Sequence, residues 1–97
     1  MELKDWLILA AAGFVIAALV LSWDKIKNWF QQNIRHDTSH GILVLKEALK
    51  NGNYTVVQGV INRSNEITAA TEWRNVKLEQ NLLSEFDSRG ILTVNLQ

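Results

Sequence analysis

The most constraining feature of the sequence is an uncharged stretch from Trp6 to Trp23, which reads WLILAAAGFVIAALVLSW. As an α-helix, its eighteen residues would extend over about 27 Å, close to the hydrocarbon thickness of a bilayer. A tryptophan stands at each end of the stretch, where aromatic side chains gather at membrane interfaces. The sequence therefore predicts a transmembrane anchor over residues 1–23.

A cleaved signal peptide is the competing interpretation of this stretch. Signal peptides begin with net positive charge, whereas Glu2 and Asp5 here offset Lys4 and the amino terminus, and no small-x-small cleavage site follows the apolar run. We therefore expect the anchor to be retained. Lys25, Lys27 and Arg35 follow it closely, and the positive-inside rule then predicts a single-pass membrane protein with its N-terminus outside and its C-terminal domain cytoplasmic.

Small residues recur within the predicted span. Ala10, Gly13 and Ala17 would lie on one helical face at spacings of three and four, which would let a second helix approach closely. This pattern predicts a helix-docking face. The alternative is that alanine and glycine are simply common in spans.

The next segment, residues 24–35, has apolar residues at helical spacing, with Ile26, Trp29, Phe30 and Ile34 separated by polar ones. We predict an amphipathic juxtamembrane helix lying at the lipid headgroups. The predicted membrane-interface residues are Trp6, Trp23, Lys25, Lys27, Trp29 and Phe30. The alternative is a helix that packs this stripe against its own domain.

A polar linker over residues 36–40 leads to a predicted α+β domain over residues 41–97. The expected elements are a helix from Gly41 to Lys50, strands Tyr54 to Asn62 and Glu66 to Trp73, a helix from Asn75 to Ser88 and a last strand from Ile91. The order α-β-β-α-β predicts a three-stranded sheet of order 2-1-3, with its most apolar strand in the middle. Gly59 in that strand indicates a bulge or a close neighbour. Whether Glu66 to Trp73 forms a strand or a helix is left open, with the strand preferred.

The terminal strand is the predicted partner-binding edge of this sheet. It lacks lysine, proline and inward charge, the features that usually protect an exposed edge. Strand addition by a partner is therefore expected along Ile91, Leu92, Thr93, Val94, Asn95 and Leu96. The alternatives are that the strand is short or that the amphipathic segment covers it.

Composition excludes several kinds of chemistry. There is no cysteine, so disulfides and thiolate sites are impossible, and ten basic residues balance ten acidic ones, which argues against nucleic-acid binding. His36 and His40 flank Asp37, but no third metal ligand is evident. We therefore predict no metal, no cofactor and no enzymatic activity, and the role of the two histidines stays open.

The sequence as a whole predicts a membrane-anchored small protein whose cytoplasmic domain binds or regulates a partner, such as an accessory subunit of a membrane complex. The expected partners are membrane lipid and either another membrane protein or a second copy of the chain. The alternative is a membrane-perturbing or pore-forming protein that acts through oligomers of the span.

Overall fold

The computed structural model describes residues 3–17 and 20–96. Its elements are α1 (Leu3–Ala11), β1 (Val15–Ala17), β2 (Val20–Leu21), α2 (Trp23–Asn33), β3 (Thr38–Ala48), β4 (Tyr54–Asn62), β5 (Ile67–Leu78), α3 (Gln80–Leu83) and β6 (Ile91–Asn95). Residues 1, 2, 18 and 19 of the predicted anchor, and residue 97, lie outside the described residues.

The strands form one mixed, six-stranded sheet with the order β1-β5-β4-β3-β6, and β2 also pairs with β5. β3, β4, β5 and β6 pair in antiparallel fashion. β1 and β2 both run parallel to β5 in a single register, with Val15 opposite Glu72 and Leu21 opposite Leu78. The two short strands therefore continue one line along the same side of β5.

A helix covers each face of the sheet. Leu7 and Ala11 of α1 are buried against one face, in a cluster with β3 and β4 residues such as Val57. Ile26 and Phe30 of α2 are buried against the other face. The protein is therefore a three-layered arrangement, and the central strands are apolar on both sides because both sides are covered.

The predicted anchor is wrong. α1 ends at Ala11, a turn containing Gly13 follows, and the β-branched Val15 and Ile16 continue as a strand. Among the described residues, no helix is long and apolar enough to cross a membrane. The predicted single-pass localisation is therefore wrong as well, and the pore-forming alternative depended on the same span.

The apolar stretch is instead divided among α1, β1, β2 and the first residue of α2, which bury some of its side chains and leave others exposed. Leu7 packs beneath the sheet and Leu21 on the opposite side of it, and both are fully buried. A run that is apolar at every position has no periodicity, so its length alone suggested a span.

α2 packs its apolar stripe onto the sheet, which is the alternative interpretation of residues 24–35. Ser22 caps the helix, and its hydroxyl accepts a hydrogen bond from the Lys25 amide at 3.3 Å. The Phe30 ring lies directly over Gly41, where a Cβ would collide with it. β3 begins at Thr38, inside the predicted linker.

The predicted helix from Gly41 to Lys50 is wrong, because β3 occupies that segment. Ile42 and Leu43 are buried on opposite faces of the sheet, as expected for a central strand. Asn51 and Gly52 form the turn between β3 and β4, and Gly52 has a φ of +87°. The pair is therefore a hairpin turn and not a helix cap.

β4 coincides with the predicted strand from Tyr54 to Asn62, and all but its first residue are buried. Gly59 has the expected close neighbour, since a Cβ there would collide with Leu7 of α1.

The second half of the predicted topology is wrong. β5 continues to Leu78, so the predicted helix from Asn75 to Ser88 shrinks to the four residues of α3. The order 2-1-3 is also wrong, because β3 lies between β4 and β6.

Candidate binding site

An open cleft of about 480 Å³ lies where α2 passes over the outer side of β5. Its lining consists of residues 14–16, at the start of β1, residues 68–71 of β5, and Trp29 and Asn33 of α2. We refer to it as the β5-edge cleft. A shallower hollow of about 240 Å³ shares Ile16 and Trp29 with it and continues along α2.

The cleft exists because β1 covers only part of β5. The first contact between the two is at Phe14, whose carbonyl accepts hydrogen bonds from the Glu72 amide at 2.8 Å and from Thr71 Oγ1 at 2.7 Å. Before Phe14 the chain turns away into α1. The first residues of β5 therefore have β4 on one side and no strand on the other.

Ala70 directs its backbone groups into this gap. Successive residues of a strand direct their N–H and C=O groups to opposite neighbours, and residues two apart direct theirs to the same side. The Glu72 amide bonds toward β1, so the N–H and C=O of Ala70 face the same side. No group in the described part of the chain hydrogen-bonds to them. Within residues 3–17 and 20–96, the half-buried Ala70 thus offers the cleft a backbone donor and acceptor without a partner.

The α2 wall of the cleft is held in place by a buried amide. Gln58 Nε2 donates to the Ile26 carbonyl of α2 at 3.0 Å, and its Oε1 accepts from Trp73 Nε1 at 2.7 Å. At the end of the helix, Asn33 Nδ2 donates to the Trp29 carbonyl at 2.7 Å. Gln58 therefore ties α2 to the sheet about one helical turn before Trp29.

The cleft itself is uncharged and largely apolar. None of the described residues that line it is ionisable, and Phe14 and Val15 are exposed at 66% and 42%. Large apolar side chains exposed beside unpaired backbone groups are typical of a contact surface.

Glu72, which directly follows the lining residues 68–71 in β5, is buried and has both carboxylate oxygens paired. Its carboxylate contacts Lys46 Nζ and Arg74 Nη2, each at 2.7 Å. Burial raises its pKa, but the hydrogen bonds and charges of Lys46 and Arg74 together outweigh burial, so the pKa lies below the ordinary 4.5. Glu72 is therefore a structural anion.

The predicted helix-docking residues do not share a helix face. Ala10 lies in α1, Gly13 in the turn that follows and Ala17 in β1. The spacing of three and four has meaning only on a continuous helix, which this segment is not.

The predicted membrane-interface residues are also separated. Trp6 is 56% exposed on α1. The other five, Trp23, Lys25, Lys27, Trp29 and Phe30, belong to α2. Phe30 is buried, Trp23 and Trp29 are half-buried against the core, and Lys27 Nζ lies 6.0 Å from the centre of the Trp23 ring.

The terminal strand does lie at an edge of the sheet, but it is less open than its sequence indicates. The Ile91 amide donates to Asp87 Oδ1 at 3.0 Å, and the Ile91 carbonyl accepts from the Asp87 amide at 2.9 Å. The preceding loop thus occupies the first outward-facing position of β6. Leu92, Thr93, Val94, Asn95 and Leu96 follow that position, and binding of a partner along them stays a prediction.

His36 and His40 are not brought together with a third ligand. His40 lies in β3, where its Nδ1 is 3.2 Å from Ser39 Oγ. Within residues 3–17 and 20–96, no three histidine, aspartate or glutamate side chains converge in a geometry suited to a metal ion.

Sequence reasoning missed the β5-edge cleft. The available signal was the run Thr-Ala-Ala-Thr over residues 68–71, because a strand of small side chains leaves unfilled volume beside a bulky neighbour. No family model matches the chain, and no curated protein or solved structure shows significant similarity to it.

Proposed function

We propose that this chain is a non-enzymatic binding protein that takes up an extended polypeptide segment of a partner at the β5-edge cleft. The proposal is carried by the N–H and C=O of Ala70, which face the cleft along the line of β1 and have no partner among the residues that the structure describes. A polypeptide added as a strand would satisfy both groups, which is how many peptide-binding domains use a sheet edge.

The surroundings of Ala70 favour a polypeptide as the ligand. Phe14, the residue before β1, already bonds to the same side of β5, so an added segment would continue an existing line of pairing. Each backbone hydrogen bond contributes about 0.5–1.5 kcal/mol net. The apolar surface of Phe14, Val15 and Trp29 adds about 25 cal/mol for each Å² that the segment covers.

The proposal can be tested with a displayed library of random heptapeptides. Ala70→Pro removes the outward-facing amide hydrogen, and proline is tolerated at sheet edges whose N–H faces outward. Ala70→Ser is the matched control, because it keeps the amide. We expect the wild type and the serine variant to retain enriched peptides, and the proline variant to lose them.

Titration of an enriched peptide into ¹⁵N-labelled wild type provides a measurement that does not depend on how the variants fold. The Ala70 amide resonance should shift more than those of β6. Failure to enrich any peptide, or full binding by a folded proline variant, would refute the proposal. If the wild type forms a concentration-dependent dimer that Ala70→Pro dissociates, then a second copy of the chain, and not a separate partner, occupies the cleft.

A further inference from the structure

We infer that the β5-edge cleft selects segments with a large, uncharged apolar side chain, which lodges between Trp29 and the small floor residues Ala69 and Thr71. This inference rests on the proposed function, since it specifies which segment the same cleft accepts.

The position of this side chain follows from the alternation of a strand. Ala69 packs with the core on the α2 side of the sheet, and Thr71, two residues on, shares that side. In an added segment, one residue would pair with Ala70. The residues before and after it would direct their side chains to the face of the sheet that carries Ala69 and Thr71. One adjacent side chain therefore points toward Trp29.

The floor under Trp29 leaves room for that side chain. Ala69 ends at Cβ, and Thr71 is buried with its hydroxyl bonded to the Phe14 carbonyl, so neither side chain extends into the cleft below the indole. Trp29 is half-buried, packs against the core and contacts the Phe30 ring edge-to-face, with the ring centroids 5.8 Å apart. Trp29 therefore forms the upper side of the cleft, which we call its roof, as an aromatic surface over an unfilled apolar volume.

The same surroundings disfavour charge. A carboxylate or ammonium group in this space would lose water without finding a partner, because the described lining of the cleft has no ionisable side chain. Lys25 lines the neighbouring hollow, and its Nζ donates to the Val20 carbonyl. An acidic or basic side chain at this position should be rejected.

The test uses capped heptapeptides Ac-TSTXTST-NH₂, in which X is Ala, Leu, Phe, Asp or Lys, titrated into the ¹⁵N-labelled full chain. The amide of Ala70 and the indole N–H of Trp29 report binding. We expect the Leu and Phe peptides to bind at least tenfold more tightly than the Ala peptide, and the Asp and Lys peptides to bind more weakly than Ala.

Two variants then test the contributions of Ala69 and Trp29 to this preference separately. Ala69→Leu fills the floor and should abolish the tenfold preference for the Leu and Phe peptides over the Ala peptide. Trp29→Ala removes the roof and should reduce the same preference. Ala48→Leu is the matched control, because Ala48 is exposed at the far end of β3 and should leave the preference intact.

The possible failures are distinguishable. Equal affinity of all five peptides, with the Ala70 amide still shifting, overturns the selective pocket and leaves strand addition in place. An unchanged preference in folded Ala69→Leu protein overturns the position assigned to the side chain. An Ala70 amide that no peptide shifts overturns the proposed function together with this inference.

Discussion

The indole Nε1 of Trp73 donates to Gln58 Oε1 over 2.7 Å, and both side chains are buried between α2 and the sheet. The remaining donor of the Gln58 amide bonds the Ile26 carbonyl. A single side chain thus connects two sheet strands to the helix that roofs the β5-edge cleft.

Replacing Gln58 by leucine should destabilise the fold, because it leaves the Trp73 N–H buried without a partner. We expect the free energy of unfolding, measured by urea denaturation, to fall by about 1–3 kcal/mol, which is the cost of an unsatisfied buried polar group. Gln31→Leu, at an exposed position of α2, is the control and should change stability by less than about 0.5 kcal/mol. Equal effects of the two substitutions would contradict the assigned role of Gln58.

Gly59→Ala should cost about 1–3 kcal/mol, since the added methyl group collides with Leu7 and displaces α1. Gly13→Ala is the matched control, because nothing lies within 4 Å of a Cβ at that position. In a thermal unfolding series, Leu7→Ala should cost less in the Gly59→Ala background than in wild type. Additive losses would show that α1 does not rest on Gly59.

Acid should weaken the fold through Glu72. Its pKa is depressed in the folded protein, so its stabilisation is present above the unfolded value near 4.5 and is lost as the pH falls through the folded pKa. We expect the free energy of unfolding to fall from about pH 5 downward. Glu72→Gln should flatten this dependence and lower stability at neutral pH by about 1.5–3 kcal/mol.

Asp87 supplies the comparison for the pH experiment. The Ile91 amide lowers the pKa of Asp87, and Arg89 adds to that effect against a smaller opposing influence of burial. Its carboxylate is more exposed than that of Glu72. Asp87→Asn should therefore leave most of the acid dependence in place, and the opposite ranking would contradict the role given to Glu72.

Asp87→Ala should promote self-association through β6. The substitution removes the acceptor that occupies the Ile91 amide, which then becomes available to another strand. Sedimentation velocity should detect dimers or larger species at concentrations where the wild type shows fewer. Adding Thr93→Pro should reverse the effect, and association that persists in the double variant would place the contact elsewhere.

The sequence predicted a helix or strand well where the pattern of its apolar residues was distinctive. Ile26 and Phe30 recur among polar residues, and they lie on a helix, α2. The valine-rich run starting at Tyr54 is a central strand because β-branched residues suit a sheet covered on both sides.

Prediction failed where every position was apolar or where one signal had two meanings. The stretch beginning at Trp6 offered no polar side that could distinguish a single span from several short elements packed on a sheet. Asn51 and Gly52 satisfied the rule for a helix end as well as that for a hairpin, and only the pairing of β3 with β4 decides between them. The cleft depends on where β1 begins along β5, a long-range register that no local pattern contains.

The parallel register of β1 and β2 on β5 also has a consequence for the time at which the fold becomes complete. Each residue there meets a partner 57 positions further along the chain, as Val15 meets Glu72 and Leu21 meets Leu78. A ribosome adding about 5–20 residues per second would need roughly 3–11 seconds to make the intervening segment. During synthesis, the apolar segments β1 and β2 are therefore made several seconds before β5, the strand with which they pair. The edge of the β5-edge cleft is one of the last features to form.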